Sequence, residues 1–257
     1  VHLGLVVGGV LVILETRRRR MPGLLVLDAA LAAGAASILL GRATYVAMNW
    51  DYYGDYIVEA VQPWEGGLAW QGALVGGVIG AAAVSRLRRA PVGRVLDVLT
   101  PGAAAVATFG WLACHQAGCA WGIETYPGQG LLWALSLDLP DLYGIREPRV
   151  AVQLLGAGWS ALLLGGVAIA GRSVRKDGAV FALWLLLLQS LGSFGLGFLR
   201  GDPVPTIMDW RIDQLMNLLL ASGGLVIGLA SLVRQAGKRI SDEDRKGPVR
   251  ATSEKED

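Results

Sequence analysis

A few polar side chains interrupt long apolar runs in this sequence, and their types define the chemistry open to them. Arg42 stands in LLGRATYVAM and Arg200 in GFLRGDP. A guanidinium at such a place either returns its charge to the headgroup layer or grips a lipid phosphate with a two-pronged fork. Both readings stand for Arg42. For Arg200 a local ion pair with the neighbouring Asp202 is the simplest account. Gln71 opens the run QGALVGGVIG, in which Gly72, Gly76 and Gly80 recur every four residues. That spacing lines one helix face and lets another backbone approach closely. The Gln71 amide, a polar group at membrane depth, needs a partner, and a structural hydrogen bond to another helix would serve. Gln214 and Asn217 in WRIDQLMN lie one turn apart on one face.

His115 sits in FGWLACHQAGCAWG between Cys114 and Cys119. An imidazole is the side chain best matched to general base work near neutral pH. The three residues match no zinc-ligand spacing, so no metal is expected. The two cysteines, on the outer side, could pair oxidatively, though positions i and i+5 of a helix disfavour it; Gly110, Gly118 and Gly122 point to a helix end that is broken or tightly packed. Neighbouring residues of a helix point apart, so His115 does not activate Cys114 as a nucleophile.

The elements that must carry these residues follow from composition. Of 257 residues 53% are apolar and 17% charged, with a mean hydropathy of +0.48. Soluble proteins carry about 25% charge, so the chain reads as an integral membrane protein. A net charge of +2 lacks the basic excess of a nucleic-acid-binding surface. Two cysteines make no disulfide scaffold. The apolar runs are too long and unbroken for barrel strands, which leaves helices as the spanning elements. About 20 apolar residues cross a bilayer core, and the spans read as 1–15, 23–48, 66–85, 96–119, 149–170, 178–199 and 210–233. The first is short, and a chain opening at Val1 suits a missing beginning; a signal peptide would place its basic cluster before the apolar run, not after it.

Basic residues collect at Arg17–Arg20, at Arg86, Arg88, Arg89 and Arg94, at Arg172, Arg175 and Lys176, and at Arg234, Lys238 and Arg239. These clusters follow the odd-numbered spans. The excess of cations on one side predicts an all-α polytopic protein of seven helices, N-terminus outside and C-terminus in the cytoplasm. Residues 1–236 form the membrane domain, with outer loops at 49–65 and 120–148 rich in Trp, Tyr, Pro and Gly. Residues 237–257 read as a solvated cytoplasmic tail. Arg42, Gln71, His115, Arg200 and Gln214 then share the outer half of the membrane, the pattern of a polar cavity opening outward.

Taken in order, these motifs resemble the prolipoprotein diacylglyceryl transferases of bacterial inner membranes. LGRATYV resembles the family's GGRIGYV stretch, and WEGGLAWQGALVGG its W-[DE]-GG-M-S-F-H-GG-L-I-G motif. DVLTPGAAAVATFGWLACHQAGCAWG resembles its D-x-x-x-P…GR-x-G-[NC]-F-x-x-G-[EC]-x-x-G signature. REPRVAVQLL, DGAVFAL and DQLMN parallel RHPSQLYELL, GAV-S-G-L and G-Q-x-x-S. The likeness runs from about residue 10 to 233.

The resemblance implies a lipid-modifying reaction at the inner membrane. The thiol of a prolipoprotein cysteine, in the signal region, attacks the glyceryl carbon of phosphatidylglycerol, a thioether forms, and glycerol phosphate leaves. No cofactor is implied. Carried over residue by residue, it places Arg42, Gly72, Arg200 and Gln214 at the substrate, with Trp111 at a further substrate position and Gln71 at the chemistry; His115 joins Gln71 as a candidate base on its own chemistry. Asp97 matches the aspartate of D-x-x-x-P. Four positions depart from the pattern: Gln71 replaces a histidine, Trp111 an arginine, Ser193 or Gly192 a second arginine, and Cys119 an acidic residue, this last close to the cysteine of some members. Trp offers one N–H and no charge. The resemblance therefore also admits a catalytically degenerate relative that binds lipid or a partner. A channel or transporter has no intramembrane acidic pair to support it.

Overall fold

The computed structural model describes residues 2–141, 143–173 and 179–253. Six long helices and a shorter first one make up the bundle: α1 (His2–Arg18), α2 (Gly23–Met48), α5 (Trp70–Leu87), α6 (Val92–Ala117), α8 (Val152–Ser173), α9 (Val180–Gly197) and α10 (Ile212–Ser253). Between α2 and α5 lie the short helices α3 (Trp50–Tyr53) and α4 (Ile57–Ala60), and between α6 and α8 lies α7 (Leu131–Ala134). Two antiparallel hairpins complete the chain: β1 (Ser136–Pro140) with β2 (Arg146–Val150), and β3 (Thr206–Ile207) with β4 (Trp210–Arg211).

Five helices among the described residues, α2, α6, α8, α9 and the first part of α10, are long and apolar enough to cross a membrane. Their surfaces suit hydrocarbon. Leu39, Leu162, Ile169 and Leu219 are each about 70% exposed, which in water would be a large apolar patch. The chain is thus a helical, multi-pass membrane protein.

Helix contacts in such a medium depend on close packing of small residues. On α5, a Cβ at Gly72, Gly76 or Gly80 would land on the carbonyl oxygens of Leu40, Ala36 and Ala32 of α2. The stripe seen in the sequence is therefore the seam between α2 and α5. Gly8 of α1 meets Gly102 of α6, Gly156 of α8 lies under the Trp111 ring of α6, and Gly192 of α9 lies against the Trp159 indole of α8. At the end remote from the long loops, Asp97 of α6 caps α9: its Oδ1 accepts from the N–H groups of Phe181 at 2.9 Å and Ala182 at 3.1 Å. Arg19 stands 4.0 Å from its other oxygen and over the Phe181 ring.

Helix boundaries shift from the sequence expectation where the backbone intervenes. The span expected from 66 begins at Trp70, because Gly66 and Gly67 adopt φ of 93° and 71°. The one expected to 119 stops at Ala117, where Gly118 turns left-handed at φ 70°. The one expected from 149 begins at Val152, because β2 occupies 146–150. Residues 237–253, expected as a solvated tail, continue α10 as helix; residues 254–257 of that tail lie outside the described residues, as do Arg175 and Lys176 of the third basic cluster.

Candidate functional site

The loops gather at one end of the bundle, and five of the seven singled-out residues meet there around α2, α5 and α10. Arg42, in the last turns of α2, is buried. Its Nε donates to the Ala60 carbonyl at 3.0 Å, Nη1 to those of Gly66 and Gly67, and Nη2 to that of Glu59. The guanidinium also lies over the Tyr53 ring at 5.0 Å. It holds the 59–67 segment at both ends through backbone oxygens, two of them presented by the positive-φ Gly66 and Gly67. Among the described residues it forms no carboxylate pair, so its charge is not cancelled.

Gln71, in the first turn of α5, is also buried. Its amide nitrogen donates to the Asp213 carbonyl and to Asn217 Oδ1 of α10, both at 3.3 Å. The interhelical bond its position demands is present. Behind it, Gly72 lets α2 pass at Leu40 and Thr44.

Arg200 enters the same region from the segment after α9. Its Nε and Nη2 fork onto Asp202 at 2.8 and 2.5 Å, and Nη1 donates to Asp213 Oδ2 at 2.7 Å. Arg211 closes the ring, donating to Asp213 Oδ1 at 3.1 Å and to the Asp202 carbonyl at 2.8 Å. Two guanidinium and two carboxylate groups thus balance. Burial alone would weaken the Arg200 charge, but the Asp202 and Asp213 carboxylates overcome it and raise its pKa. Gln214, the next residue of α10, donates to the Phe194 carbonyl of α9 at 3.3 Å, and its side chain fills the space that Gly197 leaves open.

Trp111 and His115 are not part of this grouping. Trp111 is pressed against Gly156 of α8. His115, one turn further along α6, shares that face by helical period; it is half-buried, and its Nδ1 has no hydrogen-bond partner. A positive-φ glycine corrects the reading of Cys114 and Cys119, which form a disulfide with their Cα atoms 5.0 Å apart. Helical geometry does not apply to the pair, because Gly118 ends the helix between them. With both sulfurs so engaged, neither is free as a metal thiolate.

Beside the polar group lies an apolar crevice. A cavity of about 310 Å³ is lined by Leu40, Thr44, Gln71, Gly72, Val75, Met216, Leu219 and Leu220. Next to it a shallow, widely open depression of about 410 Å³ is lined by Ala43, Thr44, Ala47, Met48, Ile212 and Met216. They share Thr44 and Met216, so α2, α5 and α10 frame one slot along the bundle's flank. Carbon chains suit its walls, and Gln71 supplies a polar group at its lining. Sequence reasoning missed Asp213 and Arg211, which join Arg200 to the Gln71 bond. Their signal was present: Asp213 lies four residues before Asn217, on the same helix face.

A strip of backbone pairs ties Arg200 to the rest of this end. Ile123 N–H donates to the Leu199 carbonyl and Gly201 N–H to the Trp121 carbonyl, both at 2.9 Å. Gly122 bridges Arg200, and Val150 N–H donates to the Ile123 carbonyl at 3.1 Å. Within the outer loop expected at 120–148, the two-stranded β1–β2 sheet is thus linked to the Arg200 segment through isolated bridges at Glu124–Arg149 and Gly122–Arg200.

Comparison with known proteins places these features in a group. Residues 1–230 match the family described as prolipoprotein diacylglyceryl transferase. The phosphatidylglycerol–prolipoprotein diacylglyceryl transferase of Listeria monocytogenes serotype 4b is 28% identical over 234 residues, covering 86% of this chain and 80% of that protein. The enzyme of the same name from Lysinibacillus sphaericus is 28% identical over 232 residues, 85% and 80% of the two chains. That from Symbiobacterium thermophilum is 30% identical over 198 residues, 74% and 70%.

Proposed function

This chain belongs to the prolipoprotein diacylglyceryl transferase family, and from that premise we propose how its residues serve the transfer. The protein moves diacylglyceryl from phosphatidylglycerol to prolipoproteins in lipoprotein biosynthesis. We place it in the bacterial inner membrane with all seven helices of the bundle as spans, the N-terminus outside and the C-terminus in the cytoplasm. The clustering of Arg17–Arg20 and Arg86–Arg89 at one end, opposite the loops, supports that orientation. Residues 1–236 act as the membrane domain and the remainder as its cytoplasmic extension.

The crevice framed by α2, α5 and α10 is the observation that carries the assignment of the lipid site. Acyl chains occupy its apolar walls, and the headgroup lies at the loop end. The thiol sulfur of the signal-region cysteine bonds to the glyceryl carbon while the carbon–oxygen bond to phosphate breaks, its electron pair leaving with the glycerol phosphate. Charge develops on that phosphate. Arg42, whose cation has no carboxylate partner among the described residues, stabilises it by the field of a fixed, dry charge. Arg200, neutralised by Asp202 and Asp213, positions α10 and through it the Gln71 amide. Gly72 and Gln214 let the helices close around the lipid, and Trp111 sets the α6–α8 contact. The thiol proton needs a base, and Gln71 has none to offer; His115 is the imidazole at this end, with Nδ1 unengaged.

A second reading, a lipid- or partner-binding relative without turnover, is favoured by one observation: an amide occupies the Gln71 position and is committed to α10. The two separate in cells depleted of their own transferase. Expression of this chain is expected to restore thioether-linked lipid on a test lipoprotein, and His115→Ala to abolish that rescue. Failure of the unaltered chain to rescue, although it is folded and binds phosphatidylglycerol, would establish the second reading instead.

A further inference from the structure

We infer that the Cys114–Cys119 disulfide is a positioning cross-link for the Arg200 side of the site, and that its reduction lowers turnover; the second half rests on the transferase reading. The bond lies where α6 ends. Cys119 is exposed and Cys114 half-buried, so a reductant in the surrounding water reaches it. The Cys119 N–H donates to the Cys114 carbonyl at 3.0 Å, and the Cys119 carbonyl accepts from Gln153 Nε2 of α8 at 2.9 Å. The cross-link therefore fixes the point at which the chain leaves α6.

Little slack separates that point from the site. Ala120 is left-handed at φ 52°, a conformation a residue with a Cβ keeps only when its surroundings hold it. Trp121 and Gly122 follow, both buried, and a Cβ on Gly122 would strike the Val150 carbonyl. These residues form the strip paired with Leu199, Arg200 and Gly201. Arg200 reaches Asp213, and the Asp213 carbonyl receives Gln71. A covalent anchor thus stands three residues from the strand that places Arg200. Neither cysteine is among the residues lining the lipid crevice, and the cross-link reaches Gln71 only through Arg200 and Asp213, so its main effect is on alignment ahead of lipid capture.

The test uses the full chain in phosphatidylglycerol vesicles, in three states: oxidised, reduced with TCEP and capped with iodoacetamide, and as Cys114→Ser/Cys119→Ser. Hydrogen exchange is followed in peptides spanning 120–125 and 199–203, together with kcat and KM for phosphatidylglycerol. Reduction is expected to speed exchange in both peptides roughly ten-fold, as local opening does, while peptides of the α2–α5 seam stay unchanged. The kcat falls several-fold with KM little changed, and reoxidising the uncapped protein restores it. Unchanged exchange in the two peptides overturns the positioning role. Faster exchange with unchanged kcat overturns the link to turnover. If the oxidised protein itself transfers nothing, the transferase reading fails, and the exchange data still decide whether the disulfide holds Arg200. Capping the folded protein keeps the result readable if the double variant does not fold.

Discussion

Replacing Gly76 by alanine tests the seam that builds the crevice. In an exposed helix this change is favourable by about 1 kcal/mol, because glycine pays more backbone entropy. At Gly76 the added Cβ falls on the Ala36 carbonyl group and within 3.0 Å of the Ser37 nitrogen. These are backbone atoms, which cannot rotate aside as the end of a side chain could, so α2 must shift bodily. Overpacking of this kind costs about 1–3 kcal/mol, and the rigid obstacle puts the value in the upper half. The net expectation is a loss of about 1–2 kcal/mol. Gly110 of α6 provides the control, since nothing lies within 4 Å of a Cβ built there, and Gly110→Ala should gain about 0.5–1 kcal/mol. Unfolding of both variants by SDS titration in mixed micelles, followed by tryptophan fluorescence, measures the difference. A Gly76→Ala protein as stable as Gly110→Ala would refute the claim that α2 and α5 meet backbone to backbone.

Three further outcomes follow. Asp213→Asn leaves the Arg200, Arg211 and Asp202 group with one excess positive charge in a mostly buried place; it should cost about 2 kcal/mol, below the usual 3–5 for an orphaned buried charge because Asp202 still forks onto Arg200. A double-mutant cycle with Arg211→Ala should show the two losses to be less than additive. Arg42→Lys keeps the charge but has three donors for four carbonyls; turnover should fall on the order of 100-fold, and limited proteolysis should begin within 59–67. The Tyr52 phenol, bonded to Glu59 at 2.7 Å, is pushed up to about 12 from its ordinary 10.0, chiefly by that hydrogen bond. Since the folded value is the higher one, the bond's contribution is intact below pH 10 and lost as pH climbs towards 12; absorbance at 295 nm should show late ionisation that Glu59→Gln brings back towards 10.

The membrane layer was legible because its signals are local. The run 23–48 coincides with α2, and the four-residue recurrence of Gly72, Gly76 and Gly80 named the seam before its partner was known. The loop end was not legible in the same way. Arg42 was a choice between snorkelling and phosphate, yet it binds carbonyls 17 to 25 residues away, and a carbonyl has no residue type to announce it. The β1–β2 hairpin was hidden in a loop of mixed composition because each strand has only five residues. Helical spacing carried to 119 disfavours the disulfide in the sequence, although Gly118 already points to a broken helix end and does end it. Trp111 could be matched to a motif position, but the direction of its ring depended on Gly156 of another helix.

If acyl chains occupy the slot between α2 and α10 as proposed, it also determines how material comes and goes. Since it is cut into the flank of the bundle, a phospholipid can slide in from the surrounding leaflet with its tails never leaving oil. A protein newly fitted with two fatty chains can depart by the same sideways path, its greasy end already immersed. Traffic of that sort is a search in a plane, so supply depends on how many donor lipids share the leaflet, and the abundance of lipid in the water outside is immaterial.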